Sequence, residues 1–89
     1  MNSISFDFDN IADVTEFYRQ FCHKFAIDME FGNNLDALWD ALTGMIDLPV
    51  RVTLRHLDMH ADPHQFDSLV AVMREAEKAT AGKFSLHSR

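Results

Sequence analysis

Hydrophobic and polar residues alternate from Ser3 to Phe8, with Ile4, Phe6 and Phe8 on one side and Ser5, Asp7 and Asp9 on the other. A period of two predicts a half-buried strand. The period changes at Asp13. Asp13-x-x-Glu16 has the form of a capping box, and Val14, Phe17, Tyr18, Phe21 and Phe25 follow at helical spacing. One stripe of that helix therefore faces a core. A second helix is predicted after Phe31-Gly32-Asn33, with Asn34 as N-cap and Leu35, Leu38, Trp39 and Leu42 as its apolar stripe. Gly44 is expected to end it as a left-handed C-terminal residue. Pro49 leads into a second alternating strand, Val50-Arg51-Val52-Thr53-Leu54.

The stretch from Arg55 to His64 has no clear period. Asp62-Pro63-His64-Gln65 marks a third helix start, with Asp62 as cap and Pro63 in the first turn. Phe66, Leu69, Val70, Met73 and Ala76 form its buried stripe, and Gly82 stops it. Lys83 to His87 alternates through Phe84 and Leu86 as a third strand. Strands separated by helices imply parallel pairing, hence an α/β fold.

Composition narrows the function. The 89 residues suit one domain, 1–89, and 47% apolar residues suffice for a core. Fourteen acids against eight Lys and Arg leave a net charge of -6, which disfavours nucleic-acid binding and favours a basic partner. The single Cys22 points to a reducing compartment and reads as a small core hydrophobe. The first basic residue is Arg19, with no apolar signal region before it, and the longest apolar run, Leu69-Val70-Ala71-Val72-Met73, is far too short to span a bilayer. A cytoplasmic protein without membrane association is expected.

The sharpest local feature is acidic. No Lys or Arg lies between Lys24 and Arg51, whereas Asp28, Glu30, Asp36, Asp40 and Asp47 do. Asp36, Asp40 and Thr43 share one face of the second helix, bordered by Trp39. Pattern alone allows a solvated face. Asp36 suits the first turn, but Asp40 falls toward the C-terminal turn, where a carboxylate is disfavoured by about 0.3–1 kcal/mol. Asp40 thus suits an external cation better than it suits the helix.

At these residues, Phe31-Gly32-Asn33-Asn34-Leu35-Asp36-Ala37-Leu38-Trp39-Asp40-Ala41-Leu42-Thr43-Gly44 followed by Pro49, the chain resembles the central segment of the barstar family, inhibitors of the bacterial ribonuclease barnase. Arg74-Glu75-Ala76 extends the resemblance to the last helix. The resemblance implies a three-stranded parallel sheet packed by helices, and a cofactor-free inhibitor rather than an enzyme. Its acidic helix and the loop before it would block a basic ribonuclease site by phosphate mimicry, one to one, from a monomer. Asp40 would be the anchor and Asp36 the second charged contact. Glu75 would reach in from the last helix, and Asn34, Leu35, Trp39, Thr43 and Gly44 would surround them. The chain departs from the family pattern with Glu30-Phe31 for two Tyr, Met45 for Trp and Ala79 for Glu.

Two other readings compete. A barstar-like fold could serve as an adaptor for another basic protein. Asp7-Phe8-Asp9 after a strand has the order of nucleophile and acid in haloacid-dehalogenase phosphatases, and His56, His60 and His64 with Asp58 and Asp62 have metal-ligand spacing if helical. Together these would make a small metal-dependent phosphohydrolase. Against it, the phosphatase match is three residues long and Pro63 interrupts the His ladder. Arg74 and Lys78 read as cations suited to a helix C-terminus.

Overall fold

The computed structural model describes residues 2–28 and 32–89. Glu30 and Phe31 of the sequence motif lie outside them. Three strands, β1 (Asn2–Asp7), β2 (Val50–Arg55) and β3 (Phe84–Ser88), form one sheet in the order β1-β2-β3. Both pairings are parallel, with Ile4 opposite Val52 and Val52 opposite Leu86. Three helices connect them: α1 (Val14–Lys24), α2 (Leu35–Asp40) and α3 (Asp67–Ala79).

The register explains the layering. Phe6, Val50, Val52, Leu54, Phe84 and Leu86 are buried on one face of the sheet. The other face carries Ser3, Ser5, Arg51 and His87, all exposed. The helices therefore cover a single side, which is unusual for a parallel sheet. Phe6 of β1, Phe8 just after it, Phe17 and Phe21 of α1 and Phe25 at its C-cap meet, with ring centroids 4.8–6.4 Å apart across their pairs and that of Phe8 with Phe66. Such aromatic pairs add to simple area burial. Cys22 is buried beside them, and burial, with the charge of Asp28, raises its thiol pKa. Among the described residues no helix is long and apolar enough to cross a membrane.

Several local expectations are refined. Phe8 faces the core from a 3-10 turn (Phe8–Asn10) rather than from the strand. The Asp13 carboxylate does cap α1, accepting the Glu16 N–H at 2.9 Å, but the Glu16 side chain turns to Arg19 and Gln20. Hydrogen bonds from those two, Arg19 first, hold the Glu16 carboxyl down at about 2. Asp62 does not cap the third helix: a 3-10 turn, Pro63–Phe66, precedes α3, and the Asp62 side chain makes no capping bond. Gln65 instead donates to the Asp62 carbonyl at 3.2 Å. Gly82 does take a positive φ of 82° at the end of α3.

Candidate functional site

Asn34 begins the acidic helix as expected. Its Oδ1 accepts the Ala37 N–H at 2.8 Å, satisfying an orphan donor of the first turn. Leu38, Ala41 and Leu42 are fully buried and fix the inner face. Asp36 and Asp40 lie four residues apart on the outer face, where Cβ atoms are about 5–6 Å apart. Both are exposed, and neither they nor Asp47 enters an ion pair with a described residue.

The helix does not stop at Gly44. A π-turn, Ala41–Met45, continues it, closed by the Ile46 N–H on the Ala41 carbonyl at 3.1 Å. Gly44 is not left-handed, correcting its expected role as terminator. Asp40 is consequently a full turn from the helix end, so the macrodipole penalty inferred for it from sequence is smaller. Such π-turns recur at functional sites. Here the turn has visible effects: Thr43 is half-buried with its hydroxyl donating to the Trp39 carbonyl at 2.8 Å, and Met45 is left 56% exposed. A Cβ on Gly44 would meet nothing within 4 Å, so the bare backbone there opens to solvent.

The last helix joins the same surface. Trp39, 36% exposed, shares a recess of about 400 Å³ with Ala71, Val72 and Glu75 of α3. On the other flank Asn34, Leu35 and Asp36 border a recess of about 450 Å³ with Tyr18 and Leu69. Asn34, Leu35, Asp36, Trp39, Asp40, Gly44 and Glu75 are thus exposed along α2 and the facing edge of α3, with Thr43 half-buried beneath them. Glu75 is also 3.7 Å from Lys78. Ala71 and Val72 escaped notice in the sequence, where they read as part of an apolar run. Ala71 is exposed and Val72 half-buried beside it.

The histidines part company. His60 accepts the Asp62 N–H on Nδ1 at 2.9 Å, which leaves the proton on Nε2 for the Ile11 carbonyl at 2.8 Å. His64 reaches Asp67. They form no shared metal site. His56 instead crosses to β1, with Nδ1 2.9 Å from Asp7 and 3.1 Å from Asp9. The Asp7 hydrogen bond and then the Asp9 charge raise the His56 pKa, and the His56 hydrogen bond lowers that of Asp7. The register that places Asp7 opposite Arg55 brings these three side chains together. Arg74 is not a helix-dipole cation: it donates to the Leu86 carbonyl at 3.1 Å.

A family model described as "Barstar (barnase inhibitor)" matches residues 1–87. The chain is also 30% identical over 82 residues, 90% of its length and 87% of the relative's, to a Bacillus subtilis (strain 168) protein named "Putative ribonuclease inhibitor YrdF".

Proposed function

The chain belongs to the barstar family, and from that premise we propose that it inhibits a ribonuclease through α2, the residues leading into it and the facing edge of α3. The observation that carries this reading is the pair of exposed carboxylates, Asp36 and Asp40, neither in an ion pair with a described residue. A ribonuclease site is built to hold phosphates, so it offers fixed cations at close spacing. Two carboxylates one helical turn apart can occupy such a site in place of RNA. Trp39 supplies a wide, partly exposed ring beside them, and Glu75 adds a third acid across the recess. Because the helix core residues are buried, the acids are held in position before contact, which lowers the ordering cost of binding. Inhibition then needs no chemical step: the bound helix excludes substrate.

Titration calorimetry with a barnase-type ribonuclease at two salt concentrations tests the proposal. Tight one-to-one binding that weakens at high salt is expected. Asp40→Ala should cost about 2 kcal/mol or more, the threshold for an interface hot spot, a scale whose reference cases include barnase–barstar itself. The same variant should unfold within about 0.5 kcal/mol of the parent, because Asp40 is exposed and in no ion pair with a described residue. Wild-type-like binding by Asp40→Ala would remove this surface from the interface. Absence of binding to barnase-type enzymes, with capture of a different basic protein by the same acids, would favour the adaptor reading.

A further inference from the structure

The side of the sheet that no helix covers has its own chemistry. Ser3, Ser5 and Thr53 form its floor, and Arg51, Arg55 and Arg89 rise around them, with His87 along β3. Together they enclose an open basin of about 360 Å³. Short hydroxyl side chains in the middle and long guanidinium side chains at the rim give it depth.

The charge distribution is the unexpected part. The chain is acidic overall, at -6, yet three of its eight Lys and Arg converge here. Arg89 donates its N–H to the Leu54 carbonyl and accepts from the His56 N–H, both at 2.9 Å, which places it directly opposite Arg55 on the neighbouring strand. Like charges so placed repel, and an anion between them would reverse the sign of the interaction. No Asp or Glu side chain lines the basin. Asp7, opposite Arg55 on β1, hydrogen-bonds His56 and the Asp9 N–H, and the Arg55 charge also lowers its pKa. No salt bridge to Arg51, Arg55 or Arg89 occurs among the described residues.

We propose that this basin binds a small soluble diphosphate. Guanidinium forks pair with phosphate oxygens through two parallel hydrogen bonds, and serine and threonine hydroxyls complete the donor set. Arg51 and Arg55 start about 13 Å apart, four residues along β2. Their side chains can close on the two ends of a diphosphate, whereas a single carboxylate offers too few acceptors for three guanidinium groups. RNA fits less well: the net charge repels a long polyanion, and the basin has no Phe, Tyr or Trp ring on which bases could stack. The site lies on the opposite side of the sheet from the helices and is independent of ribonuclease binding.

Inorganic pyrophosphate titrated into the full protein at low ionic strength, followed by amide NMR and calorimetry, tests the proposal. Saturable one-to-one binding is expected, with the largest shifts at Thr53 and His87. Arg55→Gln and Arg89→Gln should each weaken it by roughly tenfold to a hundredfold, and Asp40→Ala should leave it unchanged. Unliganded thermal unfolding of the Arg variants should match or slightly exceed the parent, since either change relieves the Arg55–Arg89 repulsion, separating lost binding from lost fold. The proposal is overturned by non-saturating shifts equal to those from sulfate, by shifts centred on α2, or by retention of binding in both Arg variants. Preferential binding of single-stranded RNA, or salt-sensitive self-association abolished by Asp40→Ala, would assign the basin to a different occupant and equally overturn it.

Discussion

Ala26 and Ala81 sit at φ of 54°, in the left-handed region that disfavours a Cβ. Each follows the end of a helix. After α3, the Gly82 N–H reaches the Glu77 carbonyl at 2.9 Å and the Ala81 N–H the Lys78 carbonyl at 3.2 Å. After α1, Ile27 and Ala26 make the same pair of bonds to Cys22 and His23. Both ends are Schellman motifs with alanine at the position that glycine prefers. Ala26→Gly and Ala81→Gly should therefore each stabilise the protein by about 0.5–1 kcal/mol, the relieved strain exceeding the added unfolded-state entropy. Urea unfolding of the two variants measures it. His56 offers a second residue-scale test. Its pKa is raised above 6.5 by Asp7, then by Asp9. Its contribution to stability is thus fully present below the ordinary imidazole range and is lost as pH rises through its folded midpoint. That of Asp7, whose pKa is lowered, is present above the ordinary carboxylate range and is lost as pH falls through its folded value. The pair contributes most between those limits. An NMR titration of His56 should give a midpoint above 6.5 in the parent and a lower one in Asp7→Asn.

At the scale of elements, α3 also protects an edge. β3 is the outer strand of an open sheet, and its outward backbone groups would invite pairing with another chain. Thr80 Oγ1 accepts the Phe84 N–H at 3.0 Å, Glu77 Oε2 accepts the Leu86 N–H at 2.8 Å, and Arg74 donates to the Leu86 carbonyl. Glu77→Ala should cost about 1.5–3 kcal/mol in urea unfolding, and light scattering should show more aggregation on heating. These contacts show where the sequence stops being legible. The strands, the apolar stripes and the Asn34 cap follow from neighbours within one or two turns, so local pattern reveals them. Arg74 looked like a dipole cation because its partner, Leu86, is twelve residues away on another element. The π-turn after Asp40 was hidden because Gly44 is the usual terminator, whereas here buried Ala41 and Leu42 and the Ile46-to-Ala41 bond carry the helix past it. The acidic face was legible from spacing. That Glu75 sits across a recess from Trp39 depended on the packing of α3 on α2.

For the whole molecule, net charge understates polarity. With three arginines gathered on the sheet side, the acids of α2 and the facing edge of α3 act as a concentrated negative surface. Encounter with a basic ribonuclease should then be steered. Stopped-flow association rates should fall by about tenfold or more between low and high salt. Asp36→Lys should slow association, whereas Arg55→Gln, on the far side, should leave the rate unchanged or slightly faster. A rate insensitive to salt would mean that the two faces do not act as separate poles.

The helix that carries Glu75 also holds the amide protons of Phe84 and Leu86 through its own side chains. Opening of that edge therefore requires α3 to move. Hydrogen–deuterium exchange at these two amides is a remote gauge of α3, on the strand farthest from β1. If a partner clamps Glu75, both amides should exchange more slowly in the complex. A partner that touches α2 alone should slow neither.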